Sequence, residues 1–534
     1  MIFKAAGMIL TIGALAAGAG EVLGLNLPTL KWGFEMSRNA DWLSIGAAGS
    51  EDAFPWFGWL TTLVAFLLGV YLLVRFWKRG SMSPITERKI ERFKAIKRGY
   101  WSFLVLLFLG VLASLDQALV GSEALAVKHG EAWTFPAFTR EVEKGFLFGI
   151  AGEDADAPPD YRALRREFRD ADAGDRVIMP LWPYSPTNDN IPAVAAPLTV
   201  KDGRLLDGGK PYSGLAATVY DLTQPEKMHI RYRYRQGLKD GAANGWDREQ
   251  NRVYGAKYKA GEIVPGSVTW NGAGSVAAYL NQDVSELVRV NFPPAPPILA
   301  STPRHPLGTN SQGYDVISYL YGGLKVNFHA ALIYIPIVYA VGVSIGLLMG
   351  FFGGTFDLVV QRLIEILSNI PFLFLVIIVS DAVPAVWKDR FGLYVILGIL
   401  AIFGWMGMTY LMRTSALKEK ARDYIAATRV LGATTPRILF KHLLPNSVAI
   451  VVTLIPFSVS GLIFSLTALD YLGFGLPPKY ATWGKLMKDG LDNLSSPWLV
   501  TSAFCALTGL LILVTFVGEA VREAFDPKKY TYYR

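Results

Sequence analysis

The chain holds one cysteine, Cys505, in 534 residues, which excludes an internal disulfide and a cysteine-based metal site. Its five histidines, His129, His229, His305, His329 and His442, are scattered without an HExxH or comparable ligand spacing. No GxSxG nucleophile elbow occurs. The nearest approach to a phosphate loop is Gly203 to Pro211, GRLLDGGKP. There an extra glycine displaces Lys210, and Pro211 replaces the hydroxyl residue that would hold Mg²⁺. Inside the apolar runs ionisable residues are sparse. Glu365 follows Arg362 by three positions and pairs locally or snorkels, because a buried proton relay would need further ionisable partners at the same depth. The sequence thus offers no catalytic, cofactor or metal constellation and no ATP site of its own.

What it has is apolar length. Hydrophobic residues make up 52% of the chain, mean hydropathy is +0.30 and formal net charge is +8. With long charge-free runs, this describes a membrane protein with sizeable parts outside the lipid. The positive balance calls for no nucleic acid, since the basic residues cluster in loops next to apolar spans. Phe57 to Phe76 reads as a span and is followed by Lys78, Arg79, Arg88, Lys89, Arg92, Lys94, Lys97 and Arg98, opposed only by Glu87 and Glu91. The positive-inside rule puts residues 77–100 in the cytoplasm and sends Trp101 to Gly121 outward. Five further spans are expected at about His329 to Phe352, Ile364 to Val383, Gly392 to Met412, Ser447 to Leu469 and Trp498 to Gly518. Their loops alternate in polarity, leaving residues 413–446 and the 521–534 tail inside. Met1 to Leu25 reads as an uncleaved span, with a signal peptide ending near Ala17-Gly18-Ala19 as the alternative. The expected fold is an all-α polytopic membrane protein of about eight spans: two extra N-terminal ones in residues 1–80, a first core span in 81–121, and a core in 329–520. Pro336, Pro371 and Pro456 mark expected kinks, and Gly342 and Gly346 a close helix approach.

Residues 122–328 form a polar insertion expected outside the cell membrane. Gly, Pro, Asp and aromatics are scattered through it without a helical period, while Met228 to Tyr234, MHIRYRY, alternates as a strand does. The composition points to a loop-rich, mixed α/β domain that caps the entrance or serves as a spacer.

The loop Ser415 to Asn446 is dense in Lys and Arg and lies between two spans. Ala421, Tyr424, Ile425, Thr428 and Leu431 fall at helical spacing, which predicts one mostly apolar stripe. Gly432 stands where an αL cap would need it. A second helix is expected with Thr435 as N-cap and Pro436 at N1, ending before Pro445. By itself this is an amphipathic linker on lipid headgroups or a docking elbow.

The wording of that loop carries a resemblance. Ala426, Ala427 and Thr428, then Gly432, then Leu444 and Pro445, resemble in order and spacing the EAA signature of bacterial ABC import permeases, with Ala426 in place of Glu and His442 in place of Ile. KHLLPN, Lys441 to Asn446, is similar to the oligopeptide, dipeptide and nickel branch. His305 to Phe328, HPLGTNSQGYDVISYLYGGLKVNF, resembles that branch's segment ahead of the second core span, with Asn310 in place of Asp and Tyr314 in place of Arg. LDYLGFGLPPKYATW (Leu469 to Trp483) and GEAVREAFDPKK resemble its closing third. GEAWTFPAF (Gly130 to Phe138) and the long insertion are most similar to permeases importing microcin C and related peptides.

The resemblance implies a type I ABC importer permease in the inner membrane, with cytoplasmic termini, moving peptides or peptide conjugates inward by alternating access. It implies a second, non-identical permease, a cytoplasmic ABC ATPase and a periplasmic peptide-binding protein as partners, besides membrane lipid. Tyr424, Ile425, Ala426, Ala427, Thr428, Leu431, Gly432, Leu444 and Pro445 would couple to the ATPase, and Asn310, Tyr314, Asp315 and Asp470 would lie at the outer mouth. Dipeptide or nickel transport, the latter with His129 or His229 as the available ligands, is the alternative within transporters. A nucleotide-independent channel or receptor is the alternative outside them.

Overall fold

A computed structural model describes residues 2–25, 32–40, 43–45, 53–77, 84–139, 142–150, 153–171, 174–222, 224–272, 276, 279, 286–297 and 305–525. Lys78, Arg79 and Met82 and most of the 521–534 tail lie outside the described residues. The chain divides into two compact units, Met1–Pro183 with Tyr321–Lys485 and Cys505–Arg534, and Tyr184–Leu320 with Leu486–Phe504.

The helices, in chain order, are α1 (Ile2–Val22), α2 (Trp32–Asn39), α3 (Trp56–Trp77), α4 (Pro84–Ala95), α5 (Lys97–Leu115), α6 (Tyr161–Ala171), α7 (Val316–Phe352), α8 (Gly354–Ser368), α9 (Phe372–Ala382), α10 (Ala385–Phe391), α11 (Leu393–Lys420), α12 (Asp423–Val430), α13 (Thr435–Ile438), α14 (Leu444–Leu472), α15 (Trp483–Asp492) and α16 (Pro497–Phe525). Helices occupy each segment expected to span, though Ile364 to Val383 holds two of them with a break between. Among the described residues six helices are long and apolar enough to cross a membrane, with a seventh crossing where α8 and α9 are taken together. In α1 the apolar stretch is the shorter Gly7–Val22.

The Ile364 to Val383 segment departs from expectation. It is two helices bent by 86° at a break that ends on Pro371, which caps α9. A proline has no N–H to continue the ladder and its ring strikes the preceding turn, so the first helix stops there. Pro336 and Pro456, by contrast, lie inside α7 and α14. Glu365 pairs locally, as expected: Arg362 Nη1 donates to its Oε2 at 2.6 Å, and Gln361 Nε2 to its Oε1 at 3.0 Å.

Small residues set how the core helices meet. A Cβ added to Gly346 would lie 2.5 Å from the Thr409 carbonyl oxygen and 2.7 Å from Met412 Cβ; one on Gly350 would lie 2.5 Å from Ala416 Cβ. The glycine pair read from the sequence thus continues one turn further, as a row Gly342, Gly346, Gly350 along which α7 and α11 touch backbone to backbone. Around this contact lies the main apolar core, built from Ala330, Val338, Leu347, Ile396, Leu400 and Met412.

The first unit also carries a small β-sheet module. Its strands β1 (Ala126–His129), β2 (Ala132–Thr134) and β3 (Arg176–Ile178) pair antiparallel in the order β2-β1-β3. One face, with Val127 and Val177, packs with Tyr161 and Leu164 of α6, and His129 stacks on Phe168 at 5.4 Å.

The second unit is a β-rich domain with long loops, as the loop-rich composition led one to expect. A nine-stranded antiparallel sheet runs Glu262–Ile263, Arg252–Lys259, Gly241–Trp246, Met228–Arg235, Gly214–Val219, Val288–Asn291, Val194–Pro197, with Leu238–Lys239 and Thr269–Trp270 pairing at its side. The MHIRYRY alternation is borne out: Met228, Ile230, Tyr232 and Tyr234 are buried while the residues between them are not. Tyr232, Tyr254 and Tyr258 fill the core, with Lys239 Nζ 3.8 Å above the Tyr232 ring. Burial lowers the Lys239 ammonium below the ordinary lysine range. The GRLLDGGKP stretch is a hairpin, Arg204–Asp207 against Lys210–Pro211, turning through Gly208-Gly209.

Candidate functional site

The elbow forms between α11 and α14. Helix α12 starts after Arg422, and its apolar side is held by Ile425, which is 1% exposed within the core. Tyr424 donates its hydroxyl to Glu419 Oε2 at 2.9 Å and accepts from Asn446 Nδ2 at 2.9 Å, tying both neighbouring spans to the elbow. Burial first, and then the Glu419 carboxylate, hold its phenol above the usual range. Thr428 Oγ1 donates to the Tyr424 carbonyl at 2.6 Å. Gly432 has φ +77°, its N–H donates to the Arg429 carbonyl at 2.9 Å, and the Ala433 N–H donates to the Thr428 carbonyl at 3.2 Å. These two bonds are a Schellman cap, so the helix ends where an L side chain would be strained.

Three expectations for the loop need correction. Ala421 lies outside the helix as the cap of α11, and Leu431 as the cap of α12, so neither joins a stripe with Tyr424, Ile425 and Thr428. Leu431 is instead 86% exposed beside Val430 at 88%, with Ala426 and Ala427 also exposed. The cap of the second helix is Thr434, one residue earlier than expected. That helix does not stop before Pro445: it runs through a π turn, Leu439–Leu443, into α14, forming one apolar rod from Thr435 to Leu472. The wider i to i+5 turn opens the rod just ahead of a ring that would otherwise strike the preceding turn. Leu444 is half-buried and Pro445 exposed. The face turned away from the chain is thus Ala426, Ala427, Val430, Leu431 and Gly432, with Phe440 64% exposed nearby in sequence. Val430 and Phe440 were missed because helical spacing from Ala421 selects the opposite side.

A second group was also missed. Asp357 of α8 accepts a two-pronged pair from Arg413 of α11, with Nη2 to Oδ2 at 2.6 Å. Arg413 lies eight positions before Ala421 in the sequence, so the span leading to the elbow is fastened to the half of the broken pair that follows α7. On the other side, Arg429 of α12 stands 5.0 Å over the Phe351 ring at the end of α7.

The residues expected at an outer mouth separate into the two units. Asn310, Tyr314 and Asp315 belong to the second. Asp315 caps α7, accepting from the Ser318 N–H at 2.9 Å, and its other oxygen meets His305 Nδ1 at 2.8 Å with both side chains fully buried. Asn310 Oδ1 accepts from the Tyr314 N–H at 2.8 Å and the Gln312 N–H at 3.1 Å. These are bonds that an Asp would also accept, which explains how the substitution is tolerated. Tyr314, with Asn190, Pro192, Pro293, Ser311 and Gln312, lines an open cleft of about 520 Å³. Asp470 belongs to the first unit, where its Oδ1 accepts from the Leu476 N–H at 2.7 Å and is buried.

Beside Asp470, Lys485 donates to the Tyr480 carbonyl at 2.9 Å. Burial pulls its ammonium from the ordinary 10.5 down to about 8, against the opposing pull of the Asp470 carboxylate. Between those values the unfolded chain binds the extra proton, so this group's contribution to stability rises as pH climbs from about 8 and levels off near 10.5. The thermal midpoint of the detergent-purified chain is expected to fall less, or rise more, over that interval than that of Lys485→Met; identical pH profiles would contradict this.

His129 bonds Asp175 Oδ2 at 2.8 Å, and His229 stands between the rings of Tyr220 and Tyr279. Among the described residues no group of three or more His, Cys, Asp or Glu is placed to hold a metal.

Residues 342–530, from within α7 through the elbow and α16, match the family described as binding-protein-dependent transport system inner membrane component. The chain is 29% identical to the peptidoglycan transport system permease protein YejE of Agrobacterium fabrum, over 85% of this chain and 95% of that one. It is 39% identical to the inner membrane ABC transporter permease protein YejE of Escherichia coli, over 42% of this chain and 64% of that one. Identity to the oligopeptide transport system permease protein OppC of Bacillus subtilis is 32%, over 42% of this chain and 72% of that one. With its helical spans and the elbow inside the matched region, the chain belongs to the binding-protein-dependent transport system inner membrane components, the permeases of ABC transport systems.

Proposed function

We propose that this permease imports peptides or peptide conjugates from periplasm to cytoplasm by alternating access, driven by a separate ATPase that grips the elbow on the cytoplasmic side. The observation that carries the reading is the elbow's bare apolar face, Ala426, Ala427, Val430 and Leu431, at the end of a Schellman-capped helix bonded to both adjacent spans. Burying a few hundred Å² of such a face at roughly 25 cal/mol per Å², before association costs, gives a contact firm enough to transmit force and still separable. The basic loop before α5 favours the cytoplasm for that side of the membrane, and the loop bearing the elbow is basic too. The cargo class rests on the resemblance to oligopeptide and microcin C permeases and on the peptide and peptidoglycan systems named for the relatives.

A second, non-identical permease and a periplasmic peptide-binding protein complete the proposed machine, the latter received by the β-rich domain. Uptake of a labelled oligopeptide into proteoliposomes holding this chain and its co-purifying subunits is the test. Omitting the ATPase is expected to abolish ATP-dependent accumulation; transport that continues undiminished without it would favour a nucleotide-independent channel.

A further inference from the structure

The β-sheet module of the first unit has a face that α6 leaves bare. Across the sheet, Lys128 is in register with Trp133 on one side and Arg176 on the other, and Ala126, itself buried, with Ile178. Alternation along a strand puts these residues opposite Val127 and Val177, which face α6. Trp133 and Ile178 are about half exposed, as is Phe135, two residues on from Trp133, and Leu181 is 81% exposed. The acidic Asp175 is turned to His129 and the Gly130 N–H at the end of the sheet.

Two backbone bridges fix where this face lies. Leu25, just past α1, pairs with Thr139. Val120, just past the Lys97–Ala118 span, pairs with Trp182; the Trp182 N–H donates to the Leu119 carbonyl at 2.9 Å, and the Gly121 N–H to the Trp182 carbonyl at 3.1 Å. The module is therefore stitched to the ends of two apolar helices, and Leu181 is next in sequence to the second bridge, beside the end of the Lys97–Ala118 helix. Indole and phenyl rings partition to the layer between hydrocarbon and water, and lysine and arginine there meet lipid phosphates. We propose that the face formed by Trp133, Phe135, Ile178 and Leu181 with Lys128 and Arg176 lies in the lipid headgroup layer, on the side of the membrane where α1 and α5 end. The module is then a membrane-surface anchor that holds the start of the insertion flat beside the spans.

The sole cysteine makes the test direct. In a Cys505→Ser background, nitroxide labels on Leu181→Cys, Trp133→Cys and, on exposed α6, Arg169→Cys are compared in the full chain in phosphatidylglycerol-containing nanodiscs. Collision with oxygen relative to a water-soluble nickel chelate is expected to be several-fold higher at 181 and 133 than at 169. Ile178→Cys takes the place of any reporter that fails to accumulate in the membrane. Equal ratios at the sites overturn the proposal. So does shielding of 181 and 133 from both reagents that arises only when the partner subunits are added, because the occupant would then be protein.

Discussion

Replacing Gly432 with valine is expected to leave the chain inserted in the membrane at normal abundance and to reduce ATP-coupled uptake at least tenfold. The backbone there has φ +77°, and an added Cβ would meet nothing within 4 Å. The cost is therefore purely conformational, on the order of 1–2 kcal/mol for an L residue held in the left-handed region. The chain can escape that cost by giving up the cap, which frees the Arg429 and Thr428 carbonyls and moves Val430 and Leu431, the most exposed apolar side chains of the elbow. At 1.4 kcal/mol per factor of ten, even part of that strain suffices to loosen a separable contact. Gly432→Ala, without the branched β-carbon, is expected to fall between valine and glycine. The measurement is peptide uptake alongside recovery of the ATPase with the affinity-purified chain. Native values of both in the valine variant would remove the elbow from the coupling path.

How far this arrangement could be read in advance depends on the range of each interaction. Spans and the Gly432 cap are local: apolar length fixes the first, and a glycine after a periodic run fixes the second. The position of α12 on its own axis was not local. A helix started at Ala421 groups Leu431 with Ile425, whereas the chain starts it after Arg422 because Tyr424 is held from outside by Glu419 and Asn446. The bend between α8 and α9 was announced by Pro371, but a proline specifies a break and not an angle. In the β-rich domain only Met228–Arg235 alternates cleanly. Gly241–Trp246, GAANGW, hides its strand because rings from elsewhere occupy the space of its side chains: a Cβ on Gly245 would fall 2.6 Å from the Tyr279 ring. The Gly342 to Gly350 row was half legible, since spacing shows a small face and not the helix that meets it.

The Arg413–Asp357 pair, 56 positions apart, was beyond any pattern, and it is where the largest loss of stability is expected. Both groups lie in helices that belong to the membrane-spanning set, with Asp357 buried and Arg413 mostly so. Removing one partner strands a desolvated charge, which costs roughly 3–5 kcal/mol, whereas removing both leaves an apolar contact that lipid and neighbouring side chains satisfy. Arg413→Met is accordingly expected to lower the thermal midpoint in mild detergent severely, and Asp357→Leu combined with Arg413→Met to recover most of it. A double variant less stable than either single one would show that the carboxylate and guanidinium act independently. Uptake separates a second role. The pair fastens α11, the span that carries the elbow, to the first half of the bent pair. If force from the elbow reaches the bent pair through this link, the double variant regains its stability while its ATP-coupled uptake stays well below that of the native chain; full recovery of both would confine the pair to holding the fold.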